Sequence, residues 1–396
     1  MDTDFKFIHC ADLHLGSRFS GITSRDADLG RRLTESVFSS FRKIVDMGME
    51  EDVDFMVISG DIFDEENETP LTRFRFTEEV RRFGKPCFIS LGNHDHRRSW
   101  ESSIPLPENA HLFPTHAENV ILDIRSHMVE IAGISFPTRH TSENLAATLH
   151  GSPNMFSIGV VHCSLDSFSD DRYAPCRSSD LLGRGIDYWA LGHIHTRAVI
   201  EKRPHIVYSG NIQGMNRNES GERGAYLVSV NDNAVSDLRF IATQGVLWTD
   251  VTVDISGKNM EDMMRDISSQ IEKGSILSIS FTGTGELDAP LRLNTEELRE
   301  GIATRTGCIV SSMELGTSPP FDVESMSKGN DLFAAVIRSA DDLHDMGREK
   351  LIDLICSTKT SKDIRYLFES LSDEELKSIS ENAKMLILER LMGVSR

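Results

Sequence analysis

Asp54-Phe55-Met56-Val57-Ile58-Ser59-Gly60-Asp61-Ile62-Phe63-Asp64 is the stretch whose reading decides the fold of this 396-residue chain. Phe55 to Ser59 is a short, mostly apolar run rich in β-formers, then Gly60 turns the chain and Asp61 follows at once. Such a run suits a strand buried on both faces, and the carboxyl ends of strands are where open α/β sheets place their sites. Asp61 is therefore expected to face a crevice. Taken alone, a strand-end Asp is more often a turn or cap residue. Four other strand ends in the chain repeat the pattern, and they change the balance.

Outward from this stretch, Phe5 to Cys10 reads as a first strand ending in Ala11-Asp12-Leu13-His14. Asp26 to Met49 has helical spacing, with Leu29, Leu33, Val37, Phe41, Ile44 and Val45 on one stripe. Pro70 to Phe83 reads as the next helix, and Pro86 to Leu91 as a strand ending in Gly92-Asn93-His94-Asp95. Strands then follow at Val120–Ile124, Met128–Phe136, Phe156–Val161 (ending at His162) and Asp187–Leu191 (ending in Gly192-His193-Ile194-His195). Ile206–Ser209, Gly224–Val230 and Val235–Ile241 close this region. The alternation gives an α/β fold: a two-sheet β-sandwich core flanked by helices over residues 1–245.

After Gly245 the pattern becomes strand, helix, strand, helix, strand: a small α+β domain over residues 246–316. Gly316-Thr317-Ser318-Pro319-Pro320 opens a linker over residues 317–329. A helical C-terminal region, residues 330–396, is read as Asn330–Ile355 and Ile364–Leu391, with Ser372 and Glu375 as a capping box.

Composition sets the bounds. With 39% hydrophobic and 26% charged residues, the chain is ordinary for a globular protein. No run of about 18 apolar residues exists, so no membrane span is expected. No signal peptide is expected ahead of the first strand, and six cysteines without a C-x-x-C pair read as reduced thiols of a cytoplasmic protein. The net charge of −20 argues against a simple electrostatic nucleic-acid binder. Bound divalent cations would invert that potential locally at a carboxylate-rich site.

The strand ends carry Asp12 and His14, Asp61, Asn93 and His94, His162, then His193 and His195. Carboxylates, imidazoles and one amide oxygen, with no thiolate, suit first-row divalent ions, manganese first, with iron or zinc as alternatives. Asp61 is the candidate bridge, because its strand should lie between the others. Two ions about 3.5–4 Å apart can activate a shared hydroxide and clamp a phosphoryl centre. At any single position the bland reading prevails, since a lone His is usually a surface or satisfied core residue. Five ordered motifs together leave that reading little room.

In these motifs, D-x-H, G-D-x-x-D, G-N-H-D, a strand-end His and G-H-x-H, the chain resembles the calcineurin-like metallophosphoesterases, over roughly half its length from Asp12 to His195. His9-Cys10-Ala11-Asp12-Leu13-His14-Leu15-Gly16 and Tyr208-Ser209-Gly210-Asn211 are similar to the DNA-repair exonuclease branch, the SbcD-type nuclease subunits. Most of that branch has Ser or Thr where Asn211 stands.

The resemblance implies one ion held by Asp12, His14, Asp61 and His195, and a second by Asp61, Asn93, His162 and His193. It implies a catalytic His94 that assists the leaving oxygen, with Asp95 orienting it. It also implies hydroxide attack on a DNA backbone phosphodiester, an SMC-like coiled-coil ATPase partner of the SbcC type, and a homodimer. The amphipathic helices after Pro320 are the expected docking element for that partner, the alternative being that they simply pack back onto the small α+β cap domain. A positioned imidazolium is what a poor sugar-alkoxide leaving group requires.

Asp64 is expected only to support the site from outside. Arg97 and Arg98, and with similar standing Arg18, are candidates for substrate phosphate contact. Cys10 and Cys163 flank the site but should point to the opposite face and pack. The rival readings are a small-molecule phosphodiesterase or protein phosphatase of the same superfamily, and a metal-free binding scaffold.

Overall fold

The computed structural model describes residues 4–17, 19, 27–64, 68–96, 104–166, 173–357, 365 and 368–392. The chain divides into two compact units, Met1–Trp248 and Thr249–Arg396.

The first unit contains strands β1 (Phe5–Cys10), β2 (Phe55–Ser59), β3 (Cys87–Ser90), β4 (Ala110–Leu112), β5 (Glu118–Ile124), β6 (His127–Gly133) and β7 (Phe156–His162). Next come β8 (Ser164–Leu165), β9 (Pro175–Cys176), β10 (Tyr188–Gly192), β11 (Ala198–Lys202), β12 (His205–Tyr208), β13 (Gly224–Asn231) and β14 (Ala234–Ala242). They form two six-stranded sheets, ordered β14-β13-β1-β2-β3-β4 and β11-β12-β10-β7-β6-β5, plus a small β8-β9 pair. β1 to β4 are parallel, as are β12, β10, β7 and β6. This is the two-sheet sandwich the alternation implied.

Period-two alternation on strands buried on both faces explains the layers. Phe5, Phe7, Phe55, Val57 and Phe88 of the first sheet share one core with Ile131, Phe156, Ile158, Val160, Tyr188 and Ala190 of the second. Phe7 stacks on Phe55 with ring centroids 5.1 Å apart and meets Tyr188 edge-on at 5.2 Å. The helices Ala27–Glu50 and Pro70–Phe83 meet through Phe41 and Phe76, whose rings stack at 5.4 Å. A Cβ on Gly48 would touch Ile8 of β1, so the longer helix lies close against the first sheet. A second core lies on the other face of the second sheet, around Phe136, Trp189, Leu191 and Tyr208.

Register brings the site together. Ser59 pairs with Ser90, Ile58 with Cys10, and Gly192 with His162, so the strand ends of each sheet finish level. Neighbouring strands lie about 4.8 Å apart, so the loops that follow are neighbours too.

In the second unit, β15 (Trp248–Asp254), β16 (Ile276–Thr284) and β17 (Ile309–Ser318) form a three-stranded sheet packed with helices Met260–Ser269, Asp288–Leu293 and Thr295–Thr306. β17 runs through Gly316, Thr317 and Ser318, and a short helix follows at Val323–Ser327, so the stretch read as a linker carries regular structure. The single helix read at Asn330–Ile355 is two, Leu332–Asp345 and Arg348–Ser357. Gly347 between them takes φ 85°, a left-handed turn that ends a helix. The last helix, Asp373–Met392, begins with the capping box read from sequence: Glu375 N donates to Ser372 Oγ at 3.2 Å and Ser372 N to Glu375 Oε2 at 2.6 Å. Among the described residues no helix is long and apolar enough to cross a membrane.

Candidate metal centre

The loops leaving β1, β2 and β10 are held in unusual backbone shapes. Asp12, His14, Asp61 and His193 have φ of 50°, 45°, 52° and 103°, in the left-handed region that L-residues seldom adopt. Hydrogen bonds between the β1 and β2 loops accompany this at Asp12, His14 and Asp61: Asp12 N donates to Gly60 O at 3.0 Å, His14 N to Asp61 O at 3.0 Å, and Leu15 N to Ile62 O at 2.8 Å. Strain of this kind costs about 1–3 kcal/mol per residue and gathers where geometry serves function. Here it turns Asp12, His14 and Asp61 toward one volume, with His193 alongside.

The two sheets pinch together at Ser59. Its hydroxyl donates to Ala190 O at 2.8 Å, and its carbonyl accepts from His162 Nδ1 at 3.0 Å. A carbonyl can only accept, so His162 carries a hydrogen on Nδ1, which leaves Nε2 as the nitrogen able to ligate an ion. That nitrogen lies 3.0 Å from Asn93 Oδ1 and 3.3 Å from Asp61 Oδ2.

The same Asp61 oxygen lies 3.8 Å from His14 Nε2, which faces His195 Nε2 at 3.2 Å. Among the described residues, three His/carboxylate groupings share this volume: Asp12–His14–His195, Asp12–Asp61–His162 and His14–Asp64–His94. Lone-pair atoms facing one another at such distances are the donor set that divalent cations fit. Asp61 lies between the His162 side and the His14/His195 side.

Electrostatics agree with that fit. Burial pushes His14 down to about 4 and His193 down to about 3, so both imidazoles are neutral and able to ligate near pH 7. Burial pushes Asp12 up to about 6. Burial would also raise Asp61, but the charge and hydrogen bond of His162, then His14 and His94, hold it below the usual carboxylate range. Burial opposes charge on His162, yet Asp61 and Asp12 bring it up to about 9. A proton there occupies the place that a cation would take among the same acceptors.

The chain matches the calcineurin-like phosphoesterase family over residues 5–197. It is 32% identical over 414 residues to the uncharacterized metallophosphoesterase YhaO of Bacillus subtilis, covering 99% of both chains. This chain belongs to the calcineurin-like phosphoesterases. It is also similar to the DNA double-strand break repair protein Mre11 of Sulfolobus acidocaldarius, at 23% identity over 70% of this chain and 75% of the relative. With Mre11 of Methanocaldococcus jannaschii the identity is 22% over 81% and 87%. As a metal-dependent phosphoesterase, the protein carries His and Asp clusters of the type found in binuclear members of this family.

Asp12, His14, Asp61, Asn93, His162 and His195 converge as described. His193 lies alongside, its ring 5.3 Å from that of His162 and 5.2 Å from Tyr173, while its backbone N–H donates to both Asp12 oxygens at 3.1 and 3.2 Å.

One expected partnership is corrected. Asp95 does not orient His94: its carboxylate turns back to accept from Gly92 N at 2.7 Å and Ile62 N at 2.6 Å, clamping the β2 and β3 loops. The partner of His94 is Asp64, whose Oδ1 lies 3.0 Å from Nδ1. The Asp64 hydrogen bond, outweighing burial, raises the His94 pKa above its ordinary value.

Glu219 escaped the sequence reading. Its Oε1 accepts from His195 Nδ1 at 2.8 Å. It follows the Asn216-Arg217 turn with no motif around it, 24 residues beyond its partner. Arg18, Arg97 and Arg98 lie outside the described residues. Cys10 and Cys163 are buried, and Cys163 Sγ packs 3.6 Å from Cys176 Sγ.

Proposed function

We propose that this protein is a DNA phosphodiesterase, an exonuclease or endonuclease subunit acting in double-strand break repair or end processing. The observation that carries the reading is the His94–Asp64 pair. A half-buried imidazole stands at the edge of the clustered ligands, and the hydrogen bond from Asp64 raises its pKa and so favours the protonated form. A phosphodiester whose leaving group is a sugar alkoxide needs such an acid; an ester with an acidic leaving group does not. DNA as the substrate class is supported by the similarity to the Mre11 proteins, which extends well past the 5–197 core.

In this reading Asp12, His14, Asp61 and His195 hold one divalent ion, and Asp61, Asn93, His162 and His193 hold the other, manganese being favoured. When bound, the ions supply Lewis-acid activation of water and of the phosphoryl oxygens. The protein's own contribution is positional. Ser59 holds the Nδ1 hydrogen of His162, Asp64 favours the protonated form of His94, and His94 passes that proton to the departing oxygen. The C-terminal helices, with exposed Leu332, Leu354, Ile379 and Ile387, are the proposed docking face for an SMC-like coiled-coil ATPase. A homodimer formed through the phosphoesterase domain completes the proposal.

The test compares wild type and His94→Ala with manganese on two substrates: labelled linear duplex DNA and bis(p-nitrophenyl) phosphate. DNA cleavage should fall about 10²–10⁴-fold in the variant, whereas the activated diester, whose leaving group needs no proton, should be turned over nearly as before. Equal losses on both would remove His94 from leaving-group protonation. Activity on small diesters without any on DNA would assign the protein to the small-molecule phosphodiesterases.

A further inference from the structure

We propose that Glu219 is a positioning residue that holds His195 for metal binding. The proposal rests on His195 being a ligand, as in the function proposed above. Glu219 is largely buried, 13% of its side chain being exposed, at the end of a single turn, Arg217–Glu219. Oε1 takes the Nδ1 hydrogen of His195 at 2.8 Å, and Oε2 accepts from Asn211 Nδ2 and Met215 N, both at 2.7 Å. Asn211 Oδ1 in turn accepts from Arg223 Nη1 at 3.1 Å, and the same Arg223 nitrogen donates to the backbone oxygen of His195.

His195 is thus gripped at both ends, ring and main chain, by a closed circuit of Glu219, Asn211 and Arg223. With Nδ1 committed to a carboxylate, only Nε2 remains to face His14 Nε2 and the shared volume. A negative charge behind the ring also makes that lone pair a better donor. Asn211 makes these two bonds through separate atoms, Nδ2 to Glu219 and Oδ1 from Arg223, whereas the Ser or Thr of the resembling branch would have to make both through one hydroxyl oxygen.

A purely structural carboxylate would tie the 211–219 loop and affect both halves of the centre alike. A positioning carboxylate affects one. Metal-free wild type, Glu219→Gln, Glu219→Ala and His195→Ala are titrated with manganese, following stoichiometry by calorimetry and ion coupling by electron paramagnetic resonance. Wild type should bind two exchange-coupled ions. Glu219→Ala should weaken one ion by about 10–100-fold and spare the other, opening a range with a single uncoupled signal. Glu219→Gln, which can still accept from Nδ1 but lacks the charge, should lie between, and decides the matter if the alanine variant does not fold.

His195→Ala should reproduce the one-ion state. If His195→Ala kept both ions, the ligand assignment itself would fall. If it lost one ion while the Glu219 variants bound as wild type, or lost affinity equally for both ions, the positioning role would be overturned.

Discussion

Gly192 is the residue on which the closure of the two sheets can be tested. It ends β10, and a Cβ placed there would lie 1.8 Å from Ser59 O and 2.8 Å from His162 Nδ1. A carbon–oxygen pair cannot approach closer than about 3 Å, so Gly192→Ala must push the strand ends of opposite sheets apart by about 1.2 Å. The contact struck is the carbonyl that holds the Nδ1 hydrogen of His162, so the displacement passes directly to the nitrogen facing Asn93 and Asp61.

Overpacking of this kind costs about 1–3 kcal/mol of stability. A misplacement of about 1 Å at a reacting centre costs about 10²-fold in rate. Thermal unfolding, manganese stoichiometry and phosphodiester turnover of the purified variant measure all three effects. Gly301→Ala is the control: it lies in the helix Thr295–Thr306 with open space around it, and should be neutral or slightly stabilising. A Gly192→Ala protein with wild-type metal binding and turnover would refute the pinch at Ser59 as the feature that sets the site.

Two further outcomes follow from the partner assignments. Asp64→Asn removes the main influence holding the His94 pKa above its ordinary value. A general acid acts only while protonated, so activity is lost as pH rises through its pKa; the basic limb of the pH–rate profile on DNA should therefore move to lower pH, and an unmoved limb would dismiss the pair. Asp95→Asn places an amide donor against one of two backbone donors, Gly92 N and Ile62 N. It should cost about 1–3 kcal/mol in denaturant unfolding, whereas Asp64→Asn, on a partly exposed side chain, should cost much less.

The chain by itself determined the sandwich core and the set of converging strand ends. Apolar runs long enough for strands and short enough to exclude helices end in Asp12, Asp61, Asn93, His162 and His193, and level registers are the ordinary outcome of parallel pairing. The Ser372–Glu375 box was legible because it is local, spanning one helical turn. Edge strands such as β4 and the exposed β11 left little trace, since neither is buried enough to need a pattern.

Only the tertiary structure decided who holds whom. Asp95 follows His94 directly in sequence, yet the side chain that reaches His94 Nδ1 is Asp64, 30 residues earlier. Glu219 reaches His195 by a turn whose composition says nothing of its target. Ser59 meets Gly192 and His162 across two sheets more than a hundred residues apart in sequence. Strand patterns arise from burial, which each segment records in its own residues. Hydrogen-bond partners arise from where strands of different sheets come to lie, and no single segment records that.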